Sequence, residues 1–423
     1  MRFVFYVLVA ATAAGVSFGT SFAVWKLGHR YRLYPRIRAR DVHTRPTPRL
    51  GGIAIFLGVV AAFAIGALLP PLRLVIAQSG GIVFGVLLAS LLIVLLGVAD
   101  DIWDLDWLTK LAGQFLVAAV LAWQGVQILW IPIGRNLILL SPYLSLVVTV
   151  FVVVLVMNAV NFIDGLDGLM AGVAIIASGA FFVYGYVVSY GPTEQSDYFN
   201  LAQVITAALI GACLGFLPFN FRIDDSRPAK LFMGDGGALL VGLLMATTTV
   251  ALTGQLEPSA YPATKLLPTF IPVLLPLVVL VVPLLDFGLA VLRRLRAGKS
   301  PFSADRSHLH HRLLDMGHSH FAAVLVFYAW TAVASAGVLL ILFAPWWVAA
   351  LVTSVGLAIC TIVTLAPLSR RKAVETAVQS DEEADADAAR FDPLDAASVG
   401  DATDDEVEIV LERLHPRPRP EDG

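Results

Sequence analysis

The chain is expected to be all-α: a polytopic integral membrane protein with about eleven transmembrane helices and a cytoplasmic-side active site. Three observations lead there. Of its 423 residues, 58% are hydrophobic and 14% charged, and the mean hydropathy is +0.79; water-soluble globules do not have that balance. Apolar runs long enough to cross a bilayer recur along the chain. The basic residues between those runs are segregated by side.

The runs fall at roughly 3–25, 51–70, 81–99, 107–124, 142–160, 169–190, 198–220, 236–253, 266–292, 322–344 and 346–367. The first is long enough to span and has no small-residue cleavage site, so it reads as a membrane helix and not as a signal peptide. Pro272, Pro276 and Pro283 are expected to bend the ninth, which a bundle tolerates where neighbours satisfy the freed carbonyls. Cys213 and Cys360 both lie in apolar runs and read as packing residues. Two units are expected, a transmembrane domain over 1–372 and an acidic, disordered cytoplasmic tail over 373–423. That tail carries 16 acidic and 4 basic residues, or −12, against +9 for the remainder.

An odd number of spans puts the termini on opposite sides. The side of the 26–49 loop, which also holds 100–110, 221–235, 293–318 and 370–372, carries 21 Lys and Arg against 4 opposite. The positive-inside rule makes that side cytoplasmic, with the N-terminus outside. Every polar cluster falls there too. A pump or permease would carry polar groups near mid-membrane and reach both faces. Chemistry on one face suits an enzyme that meets a cytoplasmic substrate and a lipid headgroup.

The densest cluster is Asn158-Ala-Val-Asn-Phe-Ile-Asp-Gly-Leu-Asp-Gly-Leu169, between two nearly uncharged runs. Polar groups this dense beside a bilayer mark a site, and Gly165 and Gly168 are expected to let the backbone turn there. Gly97-Val-Ala-Asp-Asp-Ile-Trp-Asp104 ends the third span. If helical, it puts Asp100 and Asp104 on one face, with Asp101 about a quarter turn away. Adjacent carboxylates repel unless a cation or a shared proton lies between them. Phe232-Met-Gly-Asp-Gly-Gly-Ala238 opens the eighth span, and Asp235 there is a candidate Mg²⁺ ligand, since Mg²⁺ is held by one or two carboxylates with substrate phosphates completing its shell.

Ser307-His-Leu-His-His-Arg-Leu313 lacks the ligand pattern of zinc. With Arg306 and Arg312 it reads as an anion-binding loop for a nucleotide diphosphate, and His43 with Arg45 reads the same way. Asp286, near the end of the ninth span, fits a catalytic role or a structural pairing equally. No Walker loop, dinucleotide fingerprint or nucleic-acid module is present. The sum describes Mg²⁺-assisted phosphoryl transfer to or from a lipid, with neither substrate named.

Five ordered motifs, from about residue 41 to 320, resemble those of the polyprenyl-phosphate N-acetylhexosamine-1-phosphate transferases, glycosyltransferase family 4. They are Pro-Thr-Pro-Arg-Leu-Gly-Gly, Asp-Asp-Ile-Trp-Asp, Asn-Ala-Val-Asn-Phe-Ile-Asp-Gly-Leu-Asp-Gly, Phe-Met-Gly-Asp-Gly-Gly and His-Leu-His-His-Arg-Leu. Within that family, Ser300 to Arg312 looks like the branch that uses UDP-N-acetylglucosamine, the undecaprenyl- or decaprenyl-phosphate GlcNAc-1-phosphate transferases. The runner-up donor is UDP-N-acetylmuramoyl-pentapeptide, whose branch has an uninterrupted histidine run and carries Lys where this chain has Arg45. Residues 221–228 also lengthen the connection between Asn220 and Asp235 relative to some members.

The resemblance implies the following roles. Asp235 and Asp164 ligate Mg²⁺, with Mn²⁺ as a substitute. Asp100, Asp101, Asp164 and His308 form the catalytic set. Arg45, Asn158, Asn161, Asp167, Phe232, Arg306, His310, His311 and Arg312 bind substrate, Phe232 near uracil. The expected partners are a UDP-sugar donor, a polyprenyl phosphate acceptor, the plasma membrane and a second copy in a homodimer, with no nucleic acid. The alternatives from other classes are an anion transporter or lipid flippase, and a scaffold acting through its acidic tail.

Overall fold

The computed structural model describes residues 2–31, 47–133, 136–189, 197–222, 228–253 and 316–365, with isolated positions 292, 295, 296, 313 and 314. Two units separate, Met1–Leu365 and Ala366–Gly423; the second lies outside the described residues, as do the expected 373–423 tail and all but the last residue of the predicted 266–292 span.

The described part of the first unit is almost entirely helical. Its helices are α1 Arg2–Arg30, α2 Gly51–Leu68, α3 Pro70–Gln78, α4 Gly80–Trp103, α5 Trp107–Trp123, α6 Pro142–Ile163, α7 Leu169–Ser189, α8 Asp197–Asn220, α9 Gly234–Thr253, α10 His320–Leu340 and α11 Trp346–Leu365. Among the described residues nine helices are long and apolar enough to cross a membrane, and α5 is a shorter apolar helix. The chain is a multi-pass membrane protein, and ten of the eleven predicted spans land on these helices.

Local chemistry sets several boundaries. Asp106 caps α5, its Oδ2 accepting from the amides of Leu108 (3.1 Å) and Thr109 (3.0 Å). Those bonds and the Thr109 hydroxyl hold its carboxyl below the usual carboxylate range. Ser319 caps α10 through the Ala322 amide at 3.2 Å, and Pro142 occupies the first turn of α6 after Ser141. Two features were not foreseen: the short helix α3, which follows Leu69 with a Pro in its first turn, and an antiparallel hairpin of β1 Trp130–Ile133 and β2 Asn136–Leu139.

The organising element is α9. It is the most enclosed of the candidate spans and packs against α6, α4, α8, α2 and α7. Its hydroxyls do not need partners on other helices, because Thr247 and Thr248 bond to the carbonyls of Leu243 and Leu244 one turn back. The N-terminal end of α9 is pressed by backbone on two sides. A Cβ on Gly97 of α4 would lie 2.1 Å from the Gly236 Cα, and one on Gly52 of α2 would lie 2.4 Å from the Gly237 nitrogen. The Gly pair after Asp235 therefore lets the backbones of α2 and α4 approach closely. It fixes the ends of α2, α4 and α9 around one point.

Candidate active site

At that point lies a cavity of about 340 Å³, lined by Arg49, Asp100, Asp101, Asp104, Leu105, Trp107, Lys110 and Asp235. Four carboxylates face two fixed cations, so the lining carries a formal charge of −2. Lys110 sits in the middle of it. Its Nζ donates to Asp100 Oδ2 at 3.0 Å and also contacts Asp235 Oδ2, and so ties the end of α4 to the start of α9.

Each acid is placed for a local reason. Asp100 lies in the last turn of α4, ten residues before its Lys110 partner on α5. The Asp101 side chain turns onto α9, where a Cβ at Gly234 would lie 2.7 Å from its Oδ2 and 2.0 Å from the Arg49 carbonyl oxygen. Gly234 has φ +72°, so only glycine meets both the backbone and the packing requirement there. Asp235 occupies the first turn of α9, where the exposed amides of the helix favour a negative group. Asp104 does not continue the helical face of Asp100 as the sequence suggested. The helix stops at Trp103, and Asp104 caps it in the left-handed region (φ 52°, ψ 62°) that Asp tolerates better than most residues. It lines the cavity all the same.

The Asp164–Gly168 turn joins α6 to α7 next to this cavity without lining it. Burial, then the charges of Asp235 and Asp167, raise the Asp164 carboxyl to about 8. Asp167 is raised to about 7 by burial, against the opposing pull of Arg222 and the Ala229 amide. Only one of the two expected turn glycines adopts a left-handed conformation, Gly168 at φ +81°; among the described residues Gly165 does not. Asn220, left without a role by sequence, bridges two site segments. Its Oδ1 accepts from the Gly168 amide (2.9 Å), and its Nδ2 donates to the Leu231 carbonyl (3.1 Å).

The site residues expected from sequence divide into three groups. Asp100, Asp101 and Asp235 converge in one cavity, and Asp164 is electrostatically coupled to Asp235. Asn158 points into the bundle, donating to Gln114 Oε1 at 2.5 Å and to the Val154 carbonyl at 2.8 Å. Neither it nor Asn161, Asp167 or Phe232 lines the cavity. Phe232 is tied by its backbone: its amide donates to the Pro48 carbonyl and its own carbonyl accepts from Gly51. Arg45, Asp286, Arg306, His308, His310, His311 and Arg312 lie outside the described residues. Sequence reasoning missed Lys110, counting it only as a charge on the basic side, and gave Arg49 no role although it lies in the Pro-Thr-Pro-Arg-Leu-Gly-Gly motif. The available signal was an ammonium placed inside an otherwise apolar helix.

The residues fit a divalent cation. Asp101 Oδ2 is buried and accepts no hydrogen bond among the described residues, and a lining of −2 repels phosphate unless positive charge enters with it. Among the described residues no group of three or more His, Cys, Asp or Glu side chains forms a ready-made metal cage. Acids that could hold a cation, basic side chains beside them and a membrane-embedded bundle define the class: a membrane transferase handling phosphate esters.

Comparison with known proteins agrees with this class. Residues 83–253 match the family model described as glycosyl transferase family 4. The decaprenyl-phosphate N-acetylglucosaminephosphotransferase of Mycolicibacterium smegmatis is 41% identical over 369 residues, which is 86% of this chain and 89% of that protein. The probable undecaprenyl-phosphate N-acetylglucosaminyl 1-phosphate transferase of Bacillus subtilis is 32% identical over 68% of this chain and 72% of its own length. The undecaprenyl-phosphate alpha-N-acetylglucosaminyl 1-phosphate transferase of Escherichia coli K12 is 30% identical over 77% and 82%. The chain belongs to glycosyl transferase family 4.

Proposed function

We propose that this protein transfers N-acetylglucosamine 1-phosphate from UDP-N-acetylglucosamine to a membrane polyprenyl phosphate. The products are UMP and polyprenyl-diphospho-N-acetylglucosamine, the first lipid-linked intermediate of a cell-envelope glycan. The observation that carries this reading is the 41% identity across nearly the whole chain to a relative named for that transfer. The convergence of Asp100, Asp101, Lys110 and Asp235 on one cavity supports it independently.

The cation is Mg²⁺, with Mn²⁺ able to replace it; Asp235 and Asp164 would hold it, and it supplies charge neutralisation to the diphosphate. Lys110 and Arg49 add fixed positive charge at the same place, and the Asp100–Asp101 pair lies beside the reacting phosphates. An oxygen of the lipid phosphate attacks the β-phosphorus of the donor. The bond from that phosphorus to the bridging oxygen breaks, and UMP leaves with the oxygen. A phosphate monoester has a second pKa near ~6 and is already mostly dianionic at neutral pH. A strong base therefore adds little, and in-line positioning with charge stabilisation carries most of the catalysis. Asp100 takes any residual proton.

The site faces the cytoplasm of the plasma membrane in this reading, which the 21-to-4 bias in loop Lys and Arg supports. Arg45, Arg306, Arg312 and the histidines at 308, 310 and 311 contact the donor, and a homodimer is the proposed assembly.

The test is UMP release by purified protein in detergent with Mg²⁺, decaprenyl phosphate and one donor at a time. Release with UDP-N-acetylglucosamine alone is expected. Release with UDP-N-acetylmuramoyl-pentapeptide alone would overturn the donor assignment, and trapping a phosphosugar–enzyme adduct without acceptor would overturn direct attack.

A further inference from the structure

Both peptide groups of Gly168 are held by side chains from outside the acid-bearing turn. Its amide donates to Asn220 Oδ1 at 2.9 Å, and its carbonyl accepts from the Tyr328 hydroxyl at 2.5 Å as well as from the Gly172 amide at 3.1 Å. Gly168 adjoins Asp167 and lies four residues after Asp164. Asn220 continues the connection to the Leu231 carbonyl, four residues before Asp235.

Tyr328 is on α10, a helix that lies beyond the matched 83–253 segment and puts no side chain into the cavity lining. It reaches the turn because α7 makes room for it. A Cβ on Gly172 would lie 2.0 Å from both Cζ and Oη of Tyr328. The ring is therefore packed flush against the α7 backbone, with its hydroxyl directed at the turn. Inside the turn the local backbone bonds are short-range ones, Asp164 to Asn161, Gly165 to Ile163 and Leu169 to Leu166. They shape the turn without fixing where it sits relative to α9. The Asn220 bridge to Leu231 and the bond from the Ala229 amide to Asp167 tie the turn to the segment that leads into α9, and the Tyr328 bond ties it to α10.

We propose that Tyr328 is a positioning residue. By donating to the Gly168 carbonyl it holds the Asp164–Asp167 turn from the α10 side, opposite the Asn220 bridge to the segment before Asp235, and it makes α10 part of the apparatus that sets the spacing of the acids. Only the kinetic arm of the test rests on the transferase reading.

The test compares wild type with Tyr328→Phe, which removes a single oxygen. Hydrogen exchange of the peptide covering 160–172 should be faster in the variant, with α1 and α11 peptides and the melting temperature unchanged. In the UMP-release assay kcat should fall roughly 3- to 10-fold, the kinetic equivalent of one neutral hydrogen bond, while the KM for polyprenyl phosphate stays within twofold. Unchanged exchange in 160–172 would overturn the proposal. So would faster exchange spread over the whole bundle with a lower melting temperature, because Tyr328 would then be general packing. If wild type releases no UMP, the transferase reading fails, and the exchange comparison alone decides the role of Tyr328.

Discussion

Replacing Lys110 with Met keeps an unbranched side chain one atom shorter and removes the charge, leaving Asp100 and Asp235 without their shared ammonium. Two unit charges 3.0 Å apart, the Lys110–Asp100 separation, attract by about 5.5 kcal/mol at an effective dielectric of ~20. That figure is gross. The Asp235 side chain is 35% exposed, so its contact is screened and counts for little. The Asp100 pair, at 18% and 12% exposure, faces an open cavity and retains about half, or roughly 2–3 kcal/mol. At ~1.4 kcal/mol per decade this becomes a roughly 30- to 150-fold loss in kcat/KM. The assay is UMP release at saturating Mg²⁺, with size-exclusion behaviour and melting temperature compared in parallel. Lys110→Arg should recover only part of the loss, because a planar fork does not replace a compact ammonium between two carboxylates. A Met variant within threefold of wild type would refute the idea that Lys110 organises the acids.

Three further outcomes follow from the same geometry. Asp235→Asn should abolish UMP release while leaving insertion and melting temperature near wild type, because the residue lines a cavity and not the packed interior; loss of folding would contradict that. Gly234→Ala should cost at least tenfold in activity, since its Cβ meets the Arg49 carbonyl at 2.0 Å and Asp101 at 2.7 Å on a backbone at φ +72°; an active, wild-type-like variant would mean that this corner yields freely. Asp164→Asn should inactivate the protein and stabilise it in the absence of divalent cations. The folded carboxyl, at about 8 against an ordinary 3.8, keeps a proton that the unfolded chain gives up. Folding stability is therefore lost as pH rises from about 4 to 8. The gain in melting temperature of Asp164→Asn should be larger at pH 8 than at pH 5, and a pH-independent gain would show that the carboxyl is not held neutral.

Much of this was legible in the sequence because charge is rare in this chain. Asp100, Asp101 and Asp235 stand out against apolar runs, and the expense of carboxylates at a membrane is enough to mark them as a site. Span positions were equally legible, since length and hydropathy set them directly. What could not be read was pairing across distance. Lys110 counts as one more basic charge until the structure shows it between two acids, one 10 and the other 125 residues away along the chain. Asn220 reads as the polar end of a helix, yet it bridges Gly168 and Leu231. Tyr328 reads as an aromatic in a span, because nothing local records that Gly172 on another helix has been left small to admit it. Asn158 shows the converse. It belongs to the densest polar motif, but its amide is used to join α6 to Gln114 of α5.

The partnership of α1 with α8 has a consequence for how the protein is made. Helix α1 packs most extensively on α8, and the Ser17 hydroxyl donates to the Ala212 carbonyl 195 residues later at 2.7 Å. At about 5–20 residues per second of synthesis, α1 stands in the bilayer for roughly 10–40 s before its principal neighbour emerges. Ser17 and Ser21, both fully buried in the finished bundle, face lipid or an insertion factor during that interval. Their hydroxyls are small enough to wait on their own helix, bonding to carbonyls one turn back. A charged residue on that face would have no such refuge, and its cost would fall on insertion before any fold existed to shelter it.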